Sequence, residues 1–354
     1  MKDWLQTHHP QIQFGLRMTL AALASYAIGD LIGLSQVYWA VLSAVIVIQG
    51  SVGGSVKAGL NRLVGTIGGA AWGAIMSWLI VHNGPPSLTL ALFAAVAPLA
   101  LLTGFKTEYR IAPITAIIVL MGTAPPQATP LSSALERVLE ITLGSAVAVA
   151  VALLIFPARA HALFVRSAST AIASMAEIVT MFAESCGEGV QREALLKRQL
   201  GLNAEIAKMG AIASEAKIES SNRLTDDPDP EPFLRNLRRI RNDINMMARA
   251  LVLPLPEAST GAFADELRAA FHALSAWLTS MSQSLKSGEE PPGLQAVQAA
   301  VEAFRVAISP DAGKQEMHRV FALLFAVEQA LENLQDLSDR ARELTGNLDR
   351  TIDI

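Results

Sequence analysis

The chain has 354 residues, 51% hydrophobic and 17% charged, with a formal net charge of −4 and a mean hydropathy of +0.36. A mildly acidic balance without a basic tract excludes nucleic acid as a partner. The single cysteine, Cys186, excludes both an intramolecular disulfide and cysteine-rich zinc clusters.

Charge is unevenly placed. The first 155 residues carry 7 Lys and Arg and 5 Asp and Glu, against 21 and 27 in the remaining 199. The first part therefore has the composition of a membrane domain and the second that of an ordinary water-soluble one. The N-terminal residues Lys2, Asp3, His8 and His9 do not form the pattern of a cleavable signal peptide.

Taken in order, 31–56, 63–81, 88–105, 111–135 and 141–158 contain no Asp, Glu, Lys or Arg, and an apolar run covers 18–29. A spanning helix needs about 20 mainly apolar residues. The windows predict six spans near 12–31, 36–53, 60–81, 87–105, 108–123 and 134–156. Buried core helices of a soluble protein would show polar faces that these windows lack.

The 54–62 loop has Lys57 and Arg62, the 104–110 loop has Lys106 and Arg110, and Arg159 follows the last span. The alternate loops, at 31–37, 82–87 and 123–133, have no lysine or arginine. Cations concentrate on the cytoplasmic side, so both termini are expected there. Tyr38, Trp39 and Trp78 then mark the outer interface, and Trp4 and Tyr109 the inner one.

The apolar part also repeats. Ser43-Ala-Val-Ile-Val-Ile-Gln-Gly50 is similar to Thr115-Ala-Ile-Ile-Val-Leu-Met-Gly122. Arg62-Leu-Val-Gly-Thr-Ile-Gly-Gly69 is similar to Arg137-Val-Leu-Glu-Ile-Thr-Leu-Gly144. A shift of three spans reverses direction in the membrane, which predicts a 3+3 inverted repeat with a site near the repeat interface.

After Pro157 the chain turns amphipathic, with helices expected near 158–186, 189–222, 231–252, 257–286, 292–308 and 313–346. Val320, Leu324, Val327, Leu331 and Leu334 give the last of these a continuous apolar face. The expected fold class is therefore all-α: a transmembrane domain over 1–157 and a cytosolic helical bundle over 158–354.

No enzyme signature is present. Gly53-Gly-Ser-Val-Lys57 lacks the ending of a phosphate loop, His8-His9 has no second ligand cluster, and no serine, histidine and acid arrangement stands out. The reading is of a non-enzyme with no catalytic residues, no metal site and no cofactor.

The candidate substrate-binding residues are cations and backbone breaks. Arg62 opens span three at the inner side. Arg137 occupies the repeat-equivalent place on the outer side, where topology asks for no cation. Charges inside a membrane usually face a partner or a water path. Glu140 lies one turn from Arg137 and is its local partner, and a transported carboxylate would compete for that arginine. Arg17 is a further in-membrane cation. Gly50 and Gly122 end the repeated spans, where unwound backbone amides would face an anionic substrate. Gly65, Gly69 and Gly73 share one face of span three, a signature of close helix packing.

Tyr38-Trp39-Ala40 at the start of span two and Arg62-x-x-Gly65-Thr66-x-x-Gly69 at the start of span three resemble the FUSC family of fusaric acid resistance proteins and aromatic acid exporters. The layout is also similar to that of the plant aluminium-activated malate transporters. The resemblance implies export of aromatic or other organic carboxylates from the bacterial inner (plasma) membrane without ATP. Family members often carry two such halves, so this half-size chain implies a homodimer in the lipid bilayer. Three readings are open at this stage: an exporter driven by an ion gradient, a passive anion channel, and a non-transporting membrane scaffold whose bundle recruits partners.

Overall fold

The computed structural model describes residues 8–80, 84–121, 130–186, 189–252, 257–308 and 317–345. Gly122, Trp4 and the 123–129 part of the expected last outer loop lie outside the described residues. Among the described residues there are twelve α-helices, one short 3-10 turn and no strand. Contacts divide the chain into two compact units, Met1–Arg159 and Ala160–Ile354.

The first unit contains α1 (His9–Leu31), α2 (Tyr38–Val47), α3 (Val52–Leu79), α4 (Pro85–Phe105), α5 (Ala112–Met121) and α6 (Pro130–Leu154). Within it, α4 and the Leu131–Leu154 part of α6 are long and apolar enough to cross a membrane. By length alone α1, with 23 residues, and α3, with 28, also exceed the hydrocarbon thickness.

Two expected spans come out short. Helices α2 and α5 have 10 residues each, about 15 Å, which is half a membrane. The cause at α2 is visible in the backbone. Ile48 turns extended, with ψ at 123°, and Ser51 starts a new helix as its N-cap, its Oγ accepting from the Gly54 amide at 2.8 Å. The Gln49 amide is taken by the Ser55 hydroxyl at 2.9 Å, and the Val52 amide by the Ala158 carbonyl at 3.0 Å. Breaks inside a membrane need such partners. The expected 54–62 loop is thus helical, and Gly53, Gly54 and Ser55 are buried in the first turn of α3.

Packing in this unit follows a pattern. Helix α3 lies against α6, α2 against α6, and α5 against α3; α1 touches α2 and α6, while α4 touches α5 and α3; α2 meets α3 as α5 meets α6. Exchanging α1 with α4, α2 with α5 and α3 with α6 leaves this list unchanged. The close approaches obey the same exchange. A Cβ on Gly144 of α6 would strike the Ala40 carbonyl of α2, and one on Gly69 of α3 would strike the Ala112 carbonyl of α5. Gly73 is similarly tight on Ala116, at 2.8 Å from its oxygen. Small residues let helix backbones meet where no water is present to drive burial.

The second unit holds α7 (Ala160–Glu184), α8 (Arg192–Ser221), α9 (Glu231–Leu251), α10 (Glu257–Ser287), α11 (Gln295–Ala307) and α12 (Met317–Thr345). These are the six helices expected from the periodicity, within a few residues at each end. Helix α7 is also long and apolar enough to cross a membrane. Its apolar face, however, is used up inside this unit: Phe164, Ile172, Met175, Ile178 and Phe182 are fully buried among α8, α9 and α10. Arg166, Thr170, Glu177 and Glu184 form the exposed stripe opposite that buried face. Phe182 meets Phe271 of α10 at 5.7 Å, and Phe164 meets Phe233 of α9 at 6.1 Å edge-on. Polar groups in the α7–α10 seam pair across it, as where Ser282 Oγ donates to the Ser169 carbonyl at 2.9 Å. Val320, Val327 and Leu334 of α12 are buried, with Leu324 and Leu331 packed at the margin, as the sequence pattern requires.

Candidate functional site

The first unit keeps four of its charged residues inside. Arg17, Arg62, Arg137 and Glu140 are all buried, and so are the hydroxyls of Ser25, Ser43 and Thr66. Charge placed in such surroundings is costly and marks function more often than architecture.

Arg62 lies ten residues beyond the first residue of α3, about 15 Å along its axis. The glycine-serine stretch before it, which reads as a loop, is the capped first turn of α3, so the helix does not open at Arg62. The Arg62 Nε donates to Ser43 Oγ of α2 at 2.9 Å. Among the described residues no carboxylate forms an ion pair with it. One turn further on, fully buried Thr66 leaves its Oγ1 without a hydrogen-bond partner. Gly65 sits between them, under the start of α5, where an added Cβ would lie 3.2 Å from Ile111 Cβ and 3.4 Å from the Ala112 amide nitrogen.

Arg137 has several partners, although the ion-paired Nη1 and Glu140 Oε2 make no hydrogen bond. Its Nη1 pairs with Glu140 Oε2 at 3.0 Å, its Nη2 donates to Gln36 Oε1, and the guanidinium stacks 4.9 Å over the Trp39 ring. Glu140 Oε1 in turn accepts the Gln36 amide at 3.0 Å, capping the backbone that leads into α2. Gln36 Oε1 also takes the Tyr38 hydroxyl at 2.7 Å and the Trp39 indole N–H at 3.2 Å. The local pair expected from the sequence is present, with a ring of partners that the sequence did not announce.

Arg17, on α1, reaches the opposite end of the same short helix. Its Nη2 lies 3.5 Å from the Gly50 carbonyl and its guanidinium 6.0 Å from the Phe14 ring, while Nε and Nη1 have no hydrogen-bond partner. The sequence-selected residues thus gather around α2. Arg137 and Glu140 stand at its start, Arg62 at its middle and Arg17 with Gly50 beyond its end. Arg62 and Arg137 both reach α2. Their contact points, Ser43 and Trp39, are one turn apart, about 6 Å along the axis.

Sequence reasoning missed Gln36, Ser43 and Thr66. Ser43 and Thr66 carried a usable signal, being hydroxyls inside uncharged windows. A groove of about 410 Å³ lies between α3 and α6 and is lined by Val56, Leu60, Leu63 and Val149 among others. It has no charged side chain and so offers an anion nothing.

No curated protein matches the chain. The model of the fusaric acid resistance protein family matches it over residues 11–351, nearly its whole length. The buried arginines and the exposed apolar helices fit a family of membrane transport and efflux proteins, and the chain belongs to the fusaric acid resistance protein family.

Proposed function

We propose that the chain exports organic anions, aromatic or related carboxylic acids, across the bacterial inner membrane, driven by an ion gradient. Helices α1–α6 cross the bilayer as a 3+3 inverted repeat with both termini in the cytoplasm. The second unit is the cytosolic bundle, and two copies of the chain work together as a homodimer. Residues along α2 line the substrate path: Arg62 in its middle and Arg17 with the Gly50 carbonyl past its end, while the Arg137–Glu140 pair holds the backbone at its start.

One observation supports this most: Arg62 is buried ten residues into α3 with a serine hydroxyl as partner and, among the described residues, no carboxylate paired with it. A guanidinium there needs an anion to make its burial tolerable. The exchange pattern of the helix contacts supports the inverted repeat, and the two half-length helices are the discontinuous elements that such repeats use around a substrate.

The test is benzoate flux in proteoliposomes containing the full chain. Flux that responds to an imposed pH gradient, and that falls at least tenfold in Arg62→Gln, is expected. Reversal potentials that follow the anion gradient alone would make the protein a channel, and equal flux in empty liposomes would end the transport reading. Cells lacking the protein should be hypersensitive to one or more acids in an aromatic carboxylate panel.

A further inference from the structure

The repeat places Gly69 against Ala112 as it places Gly144 against Ala40. Counting back from those glycines, Arg62 matches Arg137, Gly65 matches Glu140, and Thr66 matches Ile141. The two arginines therefore hold equivalent positions on α3 and α6, although both reach α2, Arg62 at Ser43 and Arg137 at Gln36 and Trp39, and only the second has a carboxylate. In the second half Glu140 supplies it, held by Arg137 and by the Gln36 amide ahead of α2. In the first half the equivalent residue is a glycine, with the start of α5 lying over it.

We infer that Glu140 is a built-in copy of the substrate carboxylate: the protein binds one carboxylate in the first half where its own side chain supplies one in the second. The site is bounded by the Arg62 guanidinium, Thr66 Oγ1 and the first-turn backbone of α5 at Ile111 and Ala112. The ligand class is a carboxylate on an apolar body.

One shared residue and two differences between the halves point the same way. The arginine is kept, so the positive charge remains. The glutamate is replaced by glycine, so no side chain neutralises it. An apolar isoleucine gives way to threonine, whose hydroxyl is fully buried and has no partner. A buried hydroxyl without a partner costs free energy that a ligand oxygen would recover. The first-turn amides of a helix have no partner within the helix, and that end carries partial positive charge. Arg137, with its anion already in place, is by this reasoning a fixed structural pair and not a substrate residue.

This inference takes its ligand from the transport reading, so the experiment has an arm that does not depend on transport. Thermal unfolding of the full chain in detergent is measured with and without benzoate. Benzoate is expected to raise the wild-type midpoint, and Arg62→Gln to abolish that shift. Thr66→Val should weaken benzoate affinity several-fold, while Arg137→Gln keeps the shift.

The second arm supplies the carboxylate in cis. Gly65→Glu and Gly65→Gln crowd Ile111 equally and differ only in charge. Gly65→Glu should melt higher than Gly65→Gln and no longer respond to benzoate, and Arg62→Gln should erase the difference between the two. If wild type ignores benzoate but the Glu and Gln variants still differ through Arg62, the anion site stands and the carboxylate-transport reading falls. A benzoate shift that survives Arg62→Gln but is lost in Arg137→Gln would overturn the inference, as would Gly65→Glu and Gly65→Gln melting alike with Arg62 intact.

Discussion

Phe164, Phe182, Phe233, Phe271 and Phe304 lie fully buried in the second unit, whereas Phe93 and Phe105 of the first are 70% and 87% exposed. Arginines show the opposite trend. Arg17, Arg62 and Arg137 are inside the first unit, while Arg268, Arg305, Arg340 and Arg342 of the second pair with acids one turn away on its surface. One chain thus sorts the same residue types in opposite directions across Arg159. Water on the outside explains the second arrangement, because apolar area is hidden and charge is solvated. Only an apolar surrounding explains the first, whose exposed helices would otherwise aggregate. The contrast also shows what holds each unit together: large side chains filling a core in one, and small residues letting backbones touch in the other.

The largest expected effect comes from attacking the backbone contacts of the first unit. Leucine at Gly69 or at Gly144 would have to occupy the Ala112 or Ala40 carbonyl, and backbone cannot yield as a side chain can. Either change should prevent recovery of folded protein from the membrane, as judged by a monodisperse peak in detergent. Gly68, next in sequence, has nothing within 4 Å of an added Cβ, so Gly68→Leu should leave the peak unchanged. Equal damage at 69 and 68 would mean that the first unit is packed like the second, and the contrast would fail. Unequal damage at 69 and 144 would instead break the exchange relation between its halves.

That experiment also measures how much the sequence revealed. The matching motifs end on Gly69 and Gly144, and both glycines meet a backbone carbonyl of a neighbouring helix, where no Cβ fits. The helices of the second unit were legible because every face repeats at helical spacing and prolines interrupt it. The shortness of α2 was not. Ile48 is as apolar as the helix before it, and composition does not record where backbone hydrogen bonding stops. The helical start ahead of Arg62 was hidden for a related reason: Gly53-Gly54-Ser55 has loop composition, but a cap at Ser51 and close packing make it the start of a helix. Arg137 and Glu140 were paired correctly because a spacing of three on a helix fixes neighbours. Gln36 and Ser43 joined the site only through contacts between helices, which a single sequence does not display.

A smaller effect sharpens the other side of the contrast. Phe164 is fully buried against Phe233, and truncating a phenylalanine in a packed core costs about 3–5 kcal/mol. Cys186 is the only cysteine in the chain and is buried in the same core, some twenty residues away on the far end of α7. Its labelling by a maleimide therefore reports opening of the second unit alone. Phe164→Ala should speed that labelling by about two to three orders of magnitude, at 1.36 kcal/mol per tenfold, provided opening and closing outpace the reagent. Phe93→Ala, on an exposed face of the first unit, should leave it unchanged.

The smallest effect concerns the one strongly shifted acid outside the first unit. Asp243 is buried between α9 and α12, and burial pushes its carboxyl up to about 6 even though Asn333 Nδ2 donates to it at 2.6 Å. Its neighbours on those helices include Arg239, Glu332 and Asp336, with Arg239 and Asp336 3.8 Å apart and largely solvated. In the unfolded chain the same carboxyl titrates near the ordinary 3.8. The folded state therefore holds the proton more tightly, and its contribution is fully present below pH 3.8 and lost as pH rises through about 6. A shift of about two units caps the effect at about 3 kcal/mol, and partial access of water to the carboxylate lowers it. Urea unfolding followed by helical circular dichroism reads mainly the second unit, because membrane helices resist urea. The wild-type midpoint should fall between pH 5 and pH 7.5, and Asp243→Asn, which still offers Asn333 an acceptor, should flatten that slope. A slope that survives the substitution would place the buried titrating group elsewhere. The second unit would then resemble the first in hiding a charge that the visible pairs do not explain.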